Sequence, residues 1–234
     1  MHGMTDAMRE AEKRRHRLEL YQRFGLFGEL PNGVTVARAA TLEDLSEALQ
    51  LVHGVFVGCG YITPQASGIR NRGVDLLPTT NTGVARAGGK KIVGVISLAI
   101  DDPELGLPSD EEFKKELDSL RGGSKVVCEV TNYAVAPDFR RTSVPTELMR
   151  YCLTSALHIR CTDLVATVSP THAGFYEFLG FKIVSQTRSY SVLVFDPVQV
   201  LDLDLGSIES GGDEAKRFVL EYFIRKNPYR RIAV

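Results

Sequence analysis

The chain has 234 residues, of which 44% are apolar and 24% are charged, with 28 Lys and Arg against 29 Asp and Glu. These fractions are typical of globular domains and exclude disordered, fibrous and collagen-like proteins. A formal charge of -1 provides no global basic field for nucleic acid or an anionic membrane, so an anionic partner must meet a local patch.

The cysteines, histidines and apolar runs indicate the cellular compartment of the protein and whether it binds a metal or a membrane. The four cysteines form no C-x-x-C pair and are too sparse for a disulfide scaffold. No apolar run approaches the roughly 20 residues of a membrane helix, the N-terminus carries no signal-like stretch, and the histidines lack metal-ligand spacing. We therefore expect a cytoplasmic protein with no metal, no nucleic acid partner and no stable membrane insertion.

In the first third of the chain, residue patterns predict two helices and one strand. Good helix formers fill residues 5–27 and include the basic cluster Arg14–Arg17, which is expected to be a solvated helix face. Residues 34–39 alternate like a strand, and apolar residues recur at helical spacing from 41 to 56. Residues 58–83 are rich in Gly, Pro, Thr and Asn, which predicts a long loop that either binds something or is disordered.

The remainder alternates between strands and helices. Ser109 and Glu112 are expected to cap a helix, and Pro145 is typical of a first helical turn. After Pro197 we expect a polar loop before a last helix. The predicted elements are strand 91–100, helix 109–120, strand 126–135, helix 145–157, strand 164–168, helix 171–180, an antiparallel pair 181–184 and 190–195, and helix 213–225.

This order predicts an α/β fold, an α+β sandwich whose mixed sheet carries helices on both faces. The strand, helix and strand between residues 126 and 168 form a right-handed crossover with parallel strands. We expect an N-terminal helical extension at 1–30, a core at 31–197 and a C-terminal helical extension at 198–234.

Two sequence motifs narrow the choice among α/β folds. Residues 129–145 read EVTNYAVAPDFRRTSVP, and residues 169–181 read SPTHAGFYEFLGF. A strand ending near a proline, an Arg-rich loop at a helix start and a following Phe-Tyr-x-x-Leu-Gly-Phe segment resemble the Gcn5-related N-acyltransferase superfamily.

Further segments resemble one branch of that superfamily more closely. LGLPSD at 105–110, ELDSLR at 116–121, CEV at 128–130 and P-x-H-x-x-F-Y at 170–176 look like the N-acyl amino acid synthases, bacterial relatives of the acyl-homoserine lactone synthases. The resemblance covers residues 34–195. It implies transfer of a long acyl group from acyl carrier protein to the α-amine of an amino acid, with no tightly bound cofactor.

The phosphate loop departs from the superfamily pattern. Its usual glycines let backbone N–H groups approach the coenzyme A pyrophosphate, and residues 140–145 contain none. This favours phosphopantetheine on a carrier protein over coenzyme A as the thioester donor. Arg140 and Arg141 can meet its phosphate or the acidic carrier, or are ordinary loop arginines. The basic cluster Arg14–Arg17 is the other candidate for contact with an acidic carrier. The expected donor-binding residues are Ala134, Val135, Arg140, Arg141, Thr142, Ser143 and Val144.

Amide formation needs a base for the protonated amine and a donor for the leaving thiolate. Glu129, in the interior of an apolar strand, is the candidate base; its alternatives are a partner for a buried arginine or an outward-facing residue. Strand alternation places it on the face of Thr131, Tyr133 and Val135. Tyr176 matches the superfamily's proton donor, or packs its ring on the sheet with a wet hydroxyl. Cys128 is expected to be a core residue.

Backbone N–H groups near Ala134 and Val135, where the parallel strands splay apart, are expected to stabilise the oxyanion, and Asn132 indicates a bulge there. Val55, Phe56, Val57 and Tyr61 can line an acyl tunnel or belong to the core. One of Arg70, Arg72 and Arg86 can hold the acceptor carboxylate, and His172 orients its loop or contacts that carboxylate. The expected acyl and amino-acid pocket is Phe56, Tyr61, Arg72, Asn132 and His172.

Three alternatives to an amino-acid acyltransferase remain. An acyl-homoserine lactone synthase is disfavoured because this chain has no Trp and residues 58–78 are poor in acidic residues. An acetyl-coenzyme A-dependent N-acetyltransferase is disfavoured by the missing glycines. A non-catalytic domain that binds an acyl group or a carrier protein stays open.

Overall fold

Seven strands form one mixed sheet in this computed structural model, which describes residues 5–70, 72–189, 197–209 and 213–231. The strands are β1 (Val34–Arg38), β2 (Asn81–Ala87), β3 (Lys91–Ile100), β4 (Val127–Val135), β5 (Asp163–Val168), β6 (Lys182–Ile183) and β7 (Gln199–Asp204). Their order across the sheet is β1-β2-β3-β4-β5-β7-β6. Neighbouring strands are antiparallel except β4 and β5, which are parallel.

Helices cover both faces of the sheet, which confirms the expected fold class. They are α1 (Asp6–Arg23), α2 (Leu42–Gly58), α3 (Asp110–Leu120), α4 (Val144–His158), α5 (Ala173–Leu179) and α6 (Glu214–Val219), and a π-helical segment continues α6 through Leu220–Arg225. α2 and α3 pack on one face; α1, α4, α5 and α6 pack on the other. Among the described residues, none of the helices combines the length and apolar character needed to cross a bilayer.

The parallel strands β4 and β5 separate before they end. Their ladder runs from the pair Val127 and Asp163 to the pair Val130 and Ala166. Beyond it, among the residues that the structure describes, β4 pairs only with β3 up to Val135, and β5 pairs only with β7 up to Val168. The expected crossover is present, and the sheet opens as a wedge beside residues 131–135.

A β-bulge at Asn132 shapes this wedge. Asn132 has a φ of +51°, and the register with β3 shifts between Val95 and Ser97. Asn tolerates this left-handed conformation better than most residues. Because the bulge inserts an extra residue, Glu129 and Thr131 face the α3 side, whereas Tyr133 packs with the core under α4. The bulge is confirmed, and the prediction that Glu129 shares a face with Tyr133 and Val135 is wrong.

Other sequence expectations need correction. The loop expected at 58–83 ends at Asn81, where β2 begins, and the polar loop expected after Pro197 contains β7. β6 pairs with β7; the strand predicted at 190–195 lies outside the described residues. β7 makes the sheet extend beyond the expected boundary at residue 197. The Ser109 side chain makes no capping hydrogen bond to α3.

The terminal segments pack against the α4 side of the sheet. Leu18 of α1 is buried there, and Arg14 and Arg17 pair with Asp213 and Glu177 at 2.6 and 3.0 Å. At the other end of the chain, the buried carboxylate of Glu147 on α4 accepts hydrogen bonds from Arg150, Tyr222 and Tyr229. Both extensions are therefore joined to the core by polar contacts as well as apolar packing.

Candidate active site

A cavity of about 460 Å³ opens at the wedge between β4 and β5. Its apolar wall combines residues from α1 and the following segment, from the end of α2 and the loop after it, and from α5: Tyr21, Leu26, Val55, Phe56, Tyr61, Ile62, Phe175 and Tyr176. Polar groups enter from the two separating strands and from residues 70 and 72. An apolar enclosure with few polar groups is typical of a small-molecule site.

Glu129 lines the cavity, and hydrogen-bond donors hold its carboxylate. The residue is only 3% exposed. Ser109 donates twice: its hydroxyl to Oε1 at 2.5 Å and its backbone N–H to Oε2 at 3.0 Å. Burial raises the pKa of Glu129 from 4.5 to about 7, although the Ser109 bonds and the charge of Arg72 oppose this rise. Such a carboxyl can exchange a proton near neutral pH.

Two arginines and the bulge form a polar cluster on the same side of the cavity. Arg72 contacts both carboxylate oxygens of Asp75 and donates to Thr131 Oγ1 at 2.5 Å. Arg70 donates to Asn132 Oδ1 at 3.2 Å and lies over the Phe56 ring. The Asn132 amide donates to Asp75 at 2.8 Å. Asn132 therefore joins the bulge to both arginines.

Tyr176 and His172 also line the cavity, from α5 and its N-cap. Tyr176 is 6% exposed, and burial raises the pKa of its phenol well above 10. Among the described residues, none makes a hydrogen bond to its hydroxyl. His172 Nε2 lies 3.4 Å from the Tyr61 hydroxyl, so it connects the loop after α2 to the start of α5.

The backbone of Val135 faces the wedge. Ala136 N–H donates to Val93 at 2.9 Å, and alternate residues of an antiparallel strand direct their polar groups to the same side. The N–H and C=O of Val135 therefore point away from β3, whereas the N–H of Ala134 points toward β3. Arg140 Nε donates to Val135 O at 3.0 Å, and Arg140 lines the cavity mouth.

The N-terminus of α4 is closed by its own residues and by the N-terminal extension. Thr142 Oγ1 accepts the N–H of Val144 at 3.2 Å, and Pro145 has no N–H. The Ser143 hydroxyl donates to Glu29 O at 2.8 Å, and the Thr146 hydroxyl donates to Leu26 O. Most groups that a helix start offers to a phosphate are already occupied.

The cavity brings together most of the residues predicted from the sequence. Those that line it are Glu129, Tyr176, Ala134, Val135, Arg140, Phe56, Tyr61, Arg72, Asn132 and His172; Val55 and Arg70 join them. Arg141, Thr142, Ser143, Val144 and Val57 do not line it. Arg86 lies on β2, pairs with Asp44 and Glu47 and does not line the cavity, unlike Arg70 and Arg72. Cys128 is a buried core residue, as expected.

Sequence reasoning missed the two hydroxyl residues next to Glu129. The sequence predicts a helix cap for Ser109 and places Thr167 within a short apolar strand; in the structure their hydroxyl oxygens lie 2.5 Å apart. A Ser before an acidic helix start is the usual sign of a cap, so no signal in the sequence distinguishes the two roles. Within the described ranges, no group of three His, Cys, Asp or Glu side chains could hold a metal ion.

The family model described as N-acyl amino acid synthase FeeM matches residues 47–204. That match includes β4, β5 and the whole β4-α4-β5 crossover. No curated protein matches this chain.

Several solved structures share the fold. FeeM, an N-acyl amino acid synthase from uncultured soil microbes, is 22% identical over 74% of this chain and 90% of its own, with a TM-score of 0.65. The coenzyme A-dependent acyl-homoserine lactone synthase BjaI is 15% identical over 81% and 88%, with a TM-score of 0.58. An acyl-CoA N-acyltransferase from Pseudomonas aeruginosa is 20% identical over 72% and 97%, with a TM-score of 0.51. At these identities the likeness establishes the fold.

Proposed function

The chain belongs to the N-acyl amino acid synthase FeeM family and is an N-acyltransferase, and from this premise we propose that it transfers a long acyl group from a carrier-protein thioester to the α-amine of an amino acid. The observation that carries the proposal is the position of Glu129. An ionisable carboxyl with a pKa of about 7 lines a mainly apolar cavity where two parallel strands separate. A base near neutral pH is what an ammonium acceptor requires.

The reaction assigns one task to each polar group. Glu129 removes a proton from the acceptor ammonium, directly or through a water, and the free amine attacks the thioester carbonyl. The Val135 N–H donates to the developing oxyanion. Collapse of the tetrahedral intermediate breaks the C–S bond, and the Tyr176 hydroxyl donates a hydrogen bond to the leaving sulfur. The products are an N-acyl amino acid and a free pantetheine thiol, which carries the second proton released by the amine.

The start of α4 supports a carrier-protein donor over coenzyme A. A coenzyme pyrophosphate needs free backbone N–H groups at a helix start. Here Thr142 occupies the Val144 N–H, Pro145 lacks one, and the N-terminal extension packs on Ser143 and Thr146. A single phosphodiester needs fewer donors, and the exposed side chains of Arg140 and Arg141 can supply them.

Arg70 and Arg72 support an acceptor that carries a carboxylate. Both guanidinium groups line the cavity beside Asn132, on the same side as Glu129. A carboxylate at the arginines leaves the α-amine of the same molecule one carbon away, within reach of the base. Simple amines lack the group that the arginines recognise.

Product analysis tests the proposal. Purified protein is incubated with acyl carrier protein loaded with acyl chains of several lengths and with pooled amino acids, and products are identified by mass spectrometry. We expect N-acyl amino acids, formed about 10²- to 10⁴-fold more slowly by Glu129→Gln. Absence of product with every acyl length would contradict it.

The donor is tested by parallel assays with acyl carrier protein and acyl-coenzyme A of the same chain length. We expect a higher kcat/KM for the carrier-bound donor, with a KM that rises with salt because local arginines meet an acidic carrier. Arg140→Gln and Arg141→Gln should raise this KM. Arg15→Gln, on the exposed side of α1, is the matched control. Equal kcat/KM values for the two donors would contradict the carrier preference.

A further inference from the structure

Ser109 approaches Glu129 in a way that a helix-capping residue does not. A serine at the start of a helix normally accepts a backbone N–H of the first turn through its hydroxyl. The Ser109 hydroxyl instead donates to Glu129 Oε1 at 2.5 Å, and its own N–H donates to Oε2 at 3.0 Å. Both oxygens of the carboxylate are thus held by one residue, which is fully buried.

We propose that Ser109 is a positioning residue that holds the Glu129 carboxylate in its reactive orientation and keeps it ionised for proton abstraction. The inference rests on the proposed function, because it takes Glu129 as the base. Two bonds from one residue fix both the position and the plane of the carboxylate. Its remaining lone pairs are then free for the acceptor amine.

Thr167 on β5 extends this arrangement. Its hydroxyl lies 2.5 Å from the Ser109 hydroxyl. An ionised carboxylate only accepts hydrogen bonds, so Ser109 donates to Glu129 and the Thr167 hydroxyl donates to Ser109. This chain polarises the Ser109 hydroxyl toward the carboxylate and strengthens the bond.

The loop before α3 is built so that Ser109 reaches β4. Leu107 N–H donates to Asp110 Oδ2 at 2.7 Å, and Arg121 donates to both oxygens of Asp110. Arg121 also binds Asp101 at the end of β3 through two bonds. Gly106 has a φ of +66°, and a Cβ there would lie 2.2 Å from Asp110 Oδ2. The ion pairs join the start of α3, next to Ser109, to the end of β3.

Opposing influences set the ionisation of Glu129. Burial favours the neutral carboxyl, and so does the negative charge of Asp110 from α3. The two bonds from Ser109 and the positive charge of Arg72 favour the carboxylate. Without the Ser109 hydroxyl, burial meets less opposition, so the Glu129 pKa should rise and the base should be protonated at neutral pH.

NMR measures the ionisation of the Glu129 carboxyl directly. Protein labelled with ¹³C at Glu side-chain carboxyls is titrated by NMR, and Glu129 is assigned as the signal missing from Glu129→Gln. In Ser109→Ala we expect the Glu129 titration midpoint about one to two pH units higher than in the wild type, as for loss of a hydrogen bond to a charged group. Thr167→Val, which keeps Ser109 and nearly the same volume, should raise it by a smaller amount. Ser155→Ala, a buried serine on α4, is the matched control and should leave it unchanged.

Kinetics supply the second readout. In Ser109→Ala the acid limb of kcat/KM should move to higher pH by the same interval as the NMR midpoint, so that activity recovers on the alkaline side. The positioning role would be overturned if the Glu129 midpoint were unchanged in Ser109→Ala and Thr167→Val. It would also be overturned if Ser109→Ala lost rate by the same factor at every pH. If the NMR midpoint moves but the wild type makes no acylated product, the proposed function fails and the Ser109–Glu129 coupling stands.

Discussion

Glu129 destabilises the protein when it is ionised, because its pKa is raised from 4.5 to about 7. Between these values the folded state binds more protons than the unfolded chain, so the free energy of unfolding falls as pH rises through that window. Glu129→Gln lacks this dependence. Its stability relative to the wild type should therefore grow by ~1.4 kcal/mol per pH unit between about 4.5 and 7. Urea unfolding at pH 5 and pH 8 measures the change; an equal difference at both values would contradict the buried ionisation.

Tyr176 contributes a second residue-level prediction. Its raised pKa keeps the phenol protonated at neutral pH, so its role in the proposal is hydrogen-bond donation to the leaving sulfur. Tyr176→Phe keeps the ring contacts with Phe175 and Phe181 and removes only this donor. We expect kcat to fall by about 10- to 100-fold with little change in melting temperature. Tyr151→Phe, outside the cavity, is the control; equal kcat values for the two variants would contradict the role.

At the residue scale, a functional residue can be predicted from the sequence when its residue type is unusual for its element. A residue that fits an ordinary structural role cannot. Glu129 could be found because a carboxyl inside an apolar strand is costly and needs a reason. Ser109 could not, because a serine before acidic residues at a helix start fits an ordinary cap equally well. Only the fold, which brings α3 beside β4, distinguishes the two.

At the element scale, long apolar patterns are predictable and irregular strands are not. β3 and the β4-α4-β5 crossover follow from their apolar spacing. β2 was missed because it starts with Asn81 and contains Gly83, and β7 because Asp202 and Asp204 make it look like a polar loop. The bulge at Asn132 was indicated, but its reversal of side-chain alternation requires the register with β3.

Gly83 on β2 makes a testable packing contact. A Cβ at this position would lie 2.4 Å from the Tyr151 ring, and the Tyr151 hydroxyl is bonded to Asn81 at 2.7 Å, so the ring cannot move freely. Gly83→Ala should reduce the free energy of unfolding by ~1–3 kcal/mol. Gly54→Ala, in the interior of α2 with open space around its Cα, should be neutral or stabilising by up to ~1 kcal/mol. Chemical denaturation measures the free energy of unfolding of both variants. Similar changes in Gly83→Ala and Gly54→Ala would contradict the packing contact at Gly83.

At the scale of the whole molecule, two arginines of different burial contact the C-terminal extension, Arg150 from α4 and Arg14 from the N-terminal extension. Arg150 is buried against Glu147, lies over the Tyr222 ring and donates to Lys226 O. Arg14, by contrast, pairs with Asp213 at a partly exposed site. Arg150→Ala should therefore cost ~3–5 kcal/mol and Arg14→Ala at most ~1 kcal/mol. Urea unfolding measures the stability of both variants. Equal losses of unfolding free energy would contradict the difference expected from burial.

The extensions also explain a limit of sequence analysis at this scale. Tyr21 and Leu26 belong to the N-terminal extension and line the cavity, and Glu29 meets the start of α4. The near-neutral charge of the chain suggested local basic clusters as partner sites. Two members of the Arg14–Arg17 cluster are instead engaged in ion pairs with α5 and the start of α6. Which arginines face a partner depends on tertiary contacts that composition does not contain.

The pH dependence of kcat/KM for acyl transfer to an amino acid, in the wild type and Glu129→Gln, is the decisive measurement of Glu129 as the general base. We expect wild-type kcat/KM to rise through an inflection near pH 7, the pKa of Glu129. Glu129→Gln should lack this inflection and be about 10²- to 10⁴-fold slower at pH 8, as expected for loss of a general base. A Glu129→Gln enzyme with the wild-type rate and the same inflection would contradict the assignment of Glu129 as the base.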